Sequence, residues 1–312
     1  MPKIVTILGS TNIDRVVKVP RFATSGETLT TDQHVVTMMG GKGLNQGVAA
    51  ARSGATTHMI TKVGPEFDIE KNMKSSNLDT SCVVISEESQ TGQAYITVSE
   101  ETGDNIIYIY AGANAELSVE DVHAQVSAIT ESAFVVAQLE TPIATTIEAF
   151  KIARQHGVTT VLNPAPMPEK GGLPEELLAL TDIIAPNEHE SYLLTGIEIS
   201  DRASMEANAK YYAELGLKTV IITLGSQGSF YMNKDGHCDI VPAFKTHAVD
   251  TTAAGDTFIG ALVTRLNPTL DNLVEAMTYG AAASSVTVSR PGAQDSIPVE
   301  DEVRVVLEAH QD

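Results

Sequence analysis

Short apolar runs and amphipathic stretches alternate along most of the chain. Apolar runs of strand length occur at residues 3–9, 58–64, 133–140, 159–166, 182–188 and 218–225. Helical patterns lie between these runs, at 43–54 and 145–157, and after the last of them, at 257–266. Continuous apolar strands separated by helices predict an α/β fold: a mostly parallel central sheet flanked by helices on both faces. In such sheets ligands bind beyond the carboxyl ends of the strands.

Two stretches depart from this pattern and carry alternating or β-branched residues with turn residues between them. They are residues 15–39 and 92–112, and each predicts a β-hairpin. Two interpretations stay open for these hairpins. They are either extra edge strands of the main sheet or a separate flap over the ligand site.

Composition narrows the classes of partner. Hydrophobic residues make up 43% of the 312 residues, which is enough for a sizeable core. The formal net charge of −20 would repel nucleic acid and anionic membranes, so neither is an expected partner. Cys82 and Cys238 form no metal or redox motif, and the N-terminus lacks a signal-peptide layout. We therefore expect a cytoplasmic protein.

A glycine-rich segment, MGGKGLNQG at residues 39–47, precedes the first predicted helix. It matches neither the P-loop, which needs Ser or Thr after the lysine, nor the dinucleotide fingerprint. Its glycines would let the backbone approach a polar ligand, with Lys42 and Asn45 as donors. The alternative is a plain glycine-rich turn with a solvated lysine.

Acids and amides follow several predicted strands. Asn12 and Asp14 alternate and could hydrogen-bond vicinal hydroxyls of a ligand, or could form an ordinary turn rich in Asx residues. Glu140 is either a hydroxyl acceptor or a neighbour of a helix cap. Asn187 and Glu190 have the spacing of one helical face, which suits either a hydrated Mg²⁺ or a capping box.

The segment DTTAAGDTF, residues 250–258, leads into the helical pattern 257–266. The first amides of a helix have no internal partner and, with the helix dipole, form an anion site that needs no lysine. Asp256 lies at this helix start. It either caps the helix or acts as a general base beside a bound phosphoryl group.

Taken together, these motifs resemble the ribokinase-like (phosphofructokinase-B) family of sugar kinases. The resemblance covers nearly the whole chain. It is carried by GGKGLNQGVAAARSGA near the N-terminus, DTTAAGDTFIGAL near the C-terminus, and AGANAELS, QLETP, LNPAP and APNE between them. Several motifs in order at the right separations are far more specific than any one of them.

The resemblance implies a role for each matching residue. Asp256 would be the catalytic base, and the amides of Ala253, Ala254, Gly255 and Asp256 would form the anion hole. The sugar would be held by Asn12, Asp14, Gly41, Lys42, Asn45, Glu140 and Asp256. ATP would be bound by Asn187, Thr223, Leu224, Gly225, Ser226, Gln227, Gly228, Gly255 and Asp256.

The resemblance also implies cofactors and partners. The substrates would be D-ribose and ATP, with Mg²⁺ supported through water by Glu190. An activating K⁺ would be held by Asp250, Thr252, Thr287, Arg290, Gly292 and Ser296. Residues 1–14, 40–91 and 113–312 would form the kinase core. Residues 15–39 and 92–112 would form a β-lid that covers the sugar and pairs two subunits in a homodimer.

Alternatives remain within and outside the kinases. Another pentose, a deoxypentose or a nucleoside could be the acceptor, or the chain could be a sugar-binding regulator without catalysis. Asp256 and the small residues before it argue against the regulator. A departure from the family pattern occurs at residues 63–81, which look about three residues shorter and place Pro65, Glu66 and Phe67 at a helix start.

Overall fold

The computed structural model describes residues 2–73, 76, 78–168 and 172–310. Most of the strands form one large sheet, and four others form a small separate sheet. The strands, numbered along the chain, are β1 (Ile4–Leu8), β2 (Asn12–Val19), β3 (Val36–Gly40), β4 (Thr56–Val63), β5 (Leu78–Asp79), β6 (Val83–Ile85), β7 (Gly92–Ser99), β8 (Asn105–Tyr110), β9 (Phe134–Ala137), β10 (Thr159–Leu162), β11 (Ile183–Ile184), β12 (Thr219–Thr223), β13 (Ser229–Met232) and β14 (Cys238–Val241).

The helices connect these strands and precede the C-terminus. They are α1 (Lys42–Arg52), α2 (Ile69–Asn72), α3 (Val119–Ala124), α4 (Val126–Thr130), α5 (Ile143–Gln155), α6 (Glu175–Ala179), α7 (Glu188–Thr195), α8 (Arg202–Glu214), α9 (Ala254–Arg265), α10 (Leu273–Val288) and α11 (Glu300–Glu308). Among the described residues, no helix combines the length and apolarity that a membrane span requires.

The large sheet has the strand order β14-β13-β12-β11-β10-β9-β1-β4-β5, with β6 also paired to β4. The pairs from β12 through β1 to β5 are parallel, whereas β13 and β14 add antiparallel strands at one edge. The predicted mostly parallel sheet is therefore confirmed. All its central strands end at the same edge, which fixes where a site can lie.

Hydrophobic cores cover both faces of this sheet. In β9, Phe134 and Val136 enter one cluster while Val135 and Ala137 enter the other, because successive side chains point to opposite faces. Helices α1, α9 and α10 pack on the first face, and α5, α6 and α8 pack on the second. The prediction of helices on both faces is confirmed.

The small sheet has the order β3-β2-β7-β8. Its outer pairs, β2 with β3 and β7 with β8, are antiparallel, as predicted for two hairpins, and β2 pairs in parallel with β7. Strand β2 begins at Asn12, so Asn12 and Asp14 lie inside the small sheet at its junction with β1. The assignment of this sheet as a cover for substrate and a dimer surface stays a prediction.

Helices α1 and α9 lie in close contact because Gly260 faces α1. A Cβ at Gly260 would lie 2.4 Å from the carbonyl oxygen of Gln46 and 2.7 Å from Cβ of Ala49. Asp256, Gly260 and Thr264 of α9 meet progressively later residues of α1, so the two helices run in the same direction. Their N-termini therefore meet at one end of the molecule.

The segment that looked shortened contains residues whose structure is not described, namely 74, 75 and 77. Around them, Asp68 caps α2 by accepting a hydrogen bond from the amide of Lys71. Phe67 and Met73 are buried in the core. The carboxylate of Glu66 accepts a hydrogen bond from the amide of Thr91 at 2.7 Å, which ties this segment to the start of β7.

Candidate active site

The N-terminus of α9 forms the centre of the site. The helix begins at Ala254, and no side chain among the described residues caps it. Ala254 donates its amide to the carbonyl of Thr251 at 3.2 Å. The helix offers no internal acceptor for the amides of Gly255 and Asp256, which can therefore receive an anion.

Ala253 precedes this helix in a left-handed conformation, with φ of 60°. A residue with a Cβ pays about 1 to 2 kcal/mol for that conformation. Strain of this kind collects at functional sites, where the surrounding structure holds it in place. The observation supports an anion-binding turn at Ala253 rather than an ordinary helix start.

The carboxylate of Asp256 is buried and held by two side-chain amides of α1. Asn45 donates through Nδ2 to Oδ2 at 3.0 Å, and Gln46 donates through Nε2 to Oδ1 at 3.1 Å. The alternative that Asp256 caps its own helix is wrong, because its side chain turns towards α1 instead. The buried Oδ1 of Asn45 has no hydrogen-bond partner among the described residues, which leaves an acceptor for a ligand hydroxyl.

Lys42 lies among three acids at the start of α1. Burial alone would lower the pKa of Lys42, but the charges of Asp256, Glu140 and Glu190 outweigh it and raise the pKa. Lys42 is therefore a protonated, largely buried cation. It supplies positive charge at a point where the chain as a whole is strongly acidic.

Glu140 joins the glycine-rich segment to the end of β1. Its Oε2 accepts a hydrogen bond from the hydroxyl of Ser10 and another from the amide of Lys42 at 3.0 Å. A Cβ at Gly41 would lie 2.9 Å from the amide nitrogen of Asn12, and Gly41 has φ of 91°. Glycine at this position therefore lets the segment pass directly beside the residues that begin the small sheet.

Asp14 is a buried carboxylate without a complete set of partners. It is 9% exposed, and its Oδ1 has no hydrogen-bond partner in the described part of the chain. Burial and the nearby charge of Glu140 raise the pKa of Asp14 to about 7. A Cβ at Gly40 would lie 2.0 Å from its Oδ2, so only glycine leaves room for this side chain. Asp14 is arranged to receive a donor.

The amide of Asn12 is held beside Asp14 by a residue that the sequence analysis did not assign. Nδ2 of Asn114 donates to Oδ1 of Asn12 at 2.8 Å, and Oδ1 of Asn114 accepts from the amide of Thr11 at 2.9 Å. The oxygen of Asn12 is thereby occupied, which directs its NH₂ group away from Asn114. Asn114 lies in the AGANAELS motif, which was the available signal.

Asn187 and Glu190 form a capping box at the start of α7. Oδ1 of Asn187 accepts from the amide of Glu190 at 2.8 Å, and Oε2 of Glu190 accepts from the amide of Asn187 at 2.9 Å. The capping interpretation is therefore correct, and Glu190 also faces the site. Burial raises the pKa of Glu190, and the charge of Asp256 raises it further. The hydrogen bond from the Asn187 amide and the charge of Lys42 act in the opposite direction but do not cancel the rise. A cation between these acids would relieve that cost.

Two adjoining cavities meet at the start of α9. The larger has a volume of about 650 Å³ and the smaller about 190 Å³. Thr223, Thr251, Ala254 and Gly255 line both. The smaller is polar and also contains Lys42, Asn163, Asn187, Glu190 and Asp256. A ligand in the larger cavity could therefore extend an anionic end towards Asp256.

Most of the predicted ATP residues lie along these cavities. Thr223, Gly225, Ser226, Gly228 and Gly255 line the larger one. Leu224 is buried, and its amide donates to the carbonyl of Gly228 at 2.8 Å, which closes the turn over residues 224–228. Gln227 lies on this turn. Sequence reasoning missed the other walls of the larger cavity, which include Ala243, Phe244, Lys245, Ala281, Ser284 and Val288.

The predicted K⁺ residues lie on two loops that Asp250 ties together. Its Oδ1 accepts from the amide of Thr252 and its Oδ2 from the amide of Gly292, both at 2.9 Å. Burial alone would raise the pKa of Asp250, but hydrogen bonds from Gly292 and Thr252 lower it, so the carboxylate is ionised. Ser296 is buried on the second loop.

Thr287 and Arg290 approach this pair of loops from the end of α10. Oγ1 of Thr287 donates to Oγ1 of Thr257 at 3.0 Å, and Arg290 forms an ion pair with Glu302. The amide of Arg290 donates to the carbonyl of Thr287 at 3.1 Å. Carboxylate and carbonyl oxygens on these loops suit a hard monovalent cation. The described residues hold no group of three or more His, Cys, Asp or Glu side chains that could bind a metal by themselves.

An uncapped helix start, a buried carboxylate and a lysine beside two joined cavities are a combination that suits phosphoryl transfer. The family model of pfkB family carbohydrate kinases matches residues 2–300. The chain therefore belongs to the pfkB family, and it is an ATP-dependent carbohydrate kinase.

Individual relatives agree with this assignment. A ribokinase of Staphylococcus aureus is 50% identical over 306 residues, covering 97% of this chain and 99% of the relative. A bifunctional ribokinase/ribose-5-phosphate isomerase A of Fructilactobacillus sanfranciscensis is 49% identical over 314 residues, and the chain spans only 57% of its length. The solved structure of Arabidopsis thaliana ribokinase complexed with ribose and ATP is similar with a TM-score of 0.90 at 28% identity, covering 99% of both chains.

Asp14 gives a pH dependence that can be tested without substrate. Its pKa of about 7 lies above the ordinary aspartate value, so the folded state holds the proton more tightly than the unfolded state. This contribution to stability is complete below the unfolded pKa and is lost as pH rises through 7. We expect the free energy of unfolding of Asp14→Asn, relative to the parent, to rise by about 1 to 3 kcal/mol between about pH 5 and about pH 8.

Urea denaturation of both proteins across this pH range measures the difference. Asp104→Asn is a matched control, because Asp104 is an exposed acid beside β8 of the same small sheet. Parallel stability profiles for Asp14→Asn and the parent would show that Asp14 titrates no differently in the folded and unfolded states.

Proposed function

We propose that the chain transfers the γ-phosphoryl group of ATP to O5 of D-ribose, giving D-ribose 5-phosphate and ADP. The observation that carries the proposal is the position of Asp256, at an uncapped helix start where the two cavities meet. The full-length similarity to ribokinases supports ribose as the sugar.

Asp256 acts in this proposal as the general base. Its carboxylate accepts the proton of the sugar hydroxyl as the oxygen attacks phosphorus, a step that such a base accelerates about 10² to 10⁴-fold. The amides at the start of α9 stabilise the charge on the phosphoryl oxygens, with the turn at Ala253 and Ala254 shaping the hole. Asn45 and Gln46 hold the carboxylate still by their hydrogen bonds.

Polar groups at the edge of the small sheet hold the sugar. Asp14 accepts a hydrogen bond from a sugar hydroxyl, since its Oδ1 has no protein partner among the described residues. Asn12 donates through its NH₂ group, Asn45 accepts through Oδ1, and Glu140 and Gly41 bring Lys42 to the same place. A site built from buried polar groups discriminates against sugars that leave those groups unpaired.

The larger cavity accommodates the nucleoside of ATP, and the smaller one its terminal phosphates. Glu190 and Asn187 provide oxygen atoms beside the phosphates, which fits Mg²⁺ because that ion prefers oxygen ligands and keeps several waters. Bound Mg²⁺ would neutralise charge on the transferring phosphate. Burial raises the pKa of Glu190, and a cation beside its carboxylate would favour the ionised form.

The substrate proposal predicts a clear preference in an ADP-release assay. We expect ribose to give a higher kcat/KM than 2-deoxyribose, arabinose, fructose or adenosine, because Asn12, Asp14 and Glu140 present a fixed set of partners for hydroxyl groups. Each sugar should be titrated at saturating MgATP, with ADP release without sugar as the control. Equal kcat/KM for ribose and 2-deoxyribose would contradict the proposed specificity for ribose. A higher kcat/KM for adenosine would identify a nucleoside kinase instead.

We also propose that K⁺ binds between the loops at Asp250 and Gly292 and activates the enzyme. The ionised carboxylate of Asp250 supplies the charge, and carbonyl groups near Thr252, Thr287, Arg290 and Gly292, with Ser296, supply neutral oxygens. These loops adjoin the start of α9: Asp250 is four residues before Ala254, and Thr287 contacts Thr257. A bound cation would stiffen the turn that forms the anion hole.

The K⁺ proposal predicts faster turnover in KCl than in NaCl at equal ionic strength, which keeps general screening constant. Steady-state rates with saturating ribose and MgATP in each salt measure the effect. Asp250→Asn should reduce the difference between the salts, because it removes the charge of the site. Identical rates of the parent enzyme in the two salts would contradict a functional cation site.

We propose further that the small sheet covers the sugar and pairs two subunits in a cytoplasmic homodimer. Several large apolar side chains of β8 are exposed in the single chain, including Ile107 at 49%, Tyr108 at 66% and Ile109 at 59%. A contiguous apolar strand of this kind is typical of a surface that is covered by a partner. A second copy of the chain offers the same strand in return.

A further inference from the structure

We propose that Gln46 is a positioning residue for the catalytic base, acting through a directed chain of amide hydrogen bonds that begins at Gln138. The inference rests on the proposed role of Asp256. Gln46 is part of the glycine-rich segment, but neither the resemblance nor the sequence pattern gives it a function. Its side chain is fully buried, with 0% exposure, although it is polar.

Gln46 contacts the base directly. Both N–H groups of its Nε2 donate hydrogen bonds, one to Oδ1 of Asp256 and one to Oδ1 of Asn163, each at 3.1 Å. An amide nitrogen has two N–H groups, so this donor is fully satisfied. A buried polar side chain with complete partners has one preferred orientation, and Gln46 therefore presents a fixed donor to the carboxylate.

The orientation of the side-chain amides of Asn163 and Gln46 is set by the carbonyl oxygen of Ala185, which can only accept a hydrogen bond. Nδ2 of Asn163 donates to the carbonyl oxygen of Ala185 at 2.9 Å, which turns Oδ1 of Asn163 towards Gln46. Gln46 must therefore point its NH₂ group at Asn163 and Asp256. Its Oε1 faces the other way and accepts from Nε2 of Gln138 at 2.6 Å.

This chain ties three strand ends to both helix starts. Gln138 follows β9, Asn163 follows β10 and Ala185 follows β11, while Gln46 lies in the first turns of α1 and Asp256 in the first turn of α9. The carboxylate of Asp256 is thus fixed relative to the sheet and not only relative to its own helix. Oε1 of Gln138 has no partner in the described part of the chain, so the network is kept at the cost of one unpaired acceptor.

The two side-chain amides that bind Asp256, those of Asn45 and Gln46, have different roles. Asn45 holds Oδ2 and keeps its own Oδ1 for a ligand, whereas Gln46 has no free atom for substrate. Loss of Gln46 should therefore affect the placement of the base without removing a contact to sugar or ATP. Misplacement of a reacting group by about 1 Å can cost on the order of 10²-fold in rate.

Gln46→Met tests the inference, because it keeps the length of the side chain and removes its hydrogen bonds. We expect kcat to fall by about 10 to 100-fold, while calorimetric dissociation constants for ribose and for an unreactive ATP analogue stay within about twofold of the parent. In an Asp256→Asn background the same change should lower the residual rate much less, because the group it positions is already lost.

Two further variants separate positioning from packing. Thr264→Val is the matched control: Thr264 is a buried hydrogen-bonding residue between the same two helices, and it contacts Ala50 and Gly260 rather than Asp256. It should leave kcat unchanged. Gln138→Met leaves both donated hydrogen bonds of Gln46 in place and removes only the donor to its Oε1, so kcat should fall less than in Gln46→Met. If Gln46→Met fails to fold, Gln138→Met decides the matter.

A kcat within about twofold of the parent in folded Gln46→Met, or in Gln138→Met where Gln46→Met does not fold, would overturn the inference. An equal fall in the Asp256→Asn background would overturn it as well, since the effect would not pass through the base. Assays of the parent enzyme separate this test from the substrate proposal, because they show which sugar is phosphorylated before any variant is measured. If ribose is not phosphorylated, the same variants are measured with the sugar that is.

Discussion

The close contact between α1 and α9 is the constraint on which the site depends. Gly260 has no side chain, and the backbone of α1 occupies the space where a Cβ would lie. Because the helices run in the same direction, this contact brings two N-termini to one place. The side chains of Lys42, Asn45 and Gln46 then face Asp256.

The second consequence of this geometry is electrostatic. The chain carries a formal net charge of −20, yet an ATP-dependent enzyme has to bind a polyanion. The start of α9 supplies backbone amides, and Lys42 supplies a largely buried positive charge close to three acids. These local donors act on the ligand at short range, whereas the charges of the more distant acidic surface are screened by water and salt. Electrostatic attraction is therefore concentrated where phosphate would bind.

Several features of the fold and site could be predicted from the sequence because they depend on neighbours along the chain. The buried strands, the two hairpins and the helix start before Asp256 all follow from local patterns, and the structure has each of them. Asn187 and Glu190 show the limit of such reasoning. Their spacing allowed a capping box or a cation site, and the structure shows that a capping box can leave Glu190 facing the site.

The parts that could not be predicted depend on contacts between distant segments. Gln138, Asn163 and Gln46 are separated by long stretches of chain, and their meeting depends on the order of strands in the sheet. Asn114 lies within the AGANAELS motif, but its hydrogen bond to Asn12 depends on the small sheet, which brings the two residues together. The wall of the larger cavity around Phe244 has no local signature at all.

We propose that Asp256 is the catalytic base rather than a structural acid. Asp256→Asn distinguishes these two roles, because the amide keeps the shape of the side chain and cannot accept the proton in the same way. Turnover of ribose and ATP should fall by about 10² to 10⁴-fold, with ribose and ATP binding by calorimetry close to the parent. Turnover equal to that of the parent enzyme would contradict the claim.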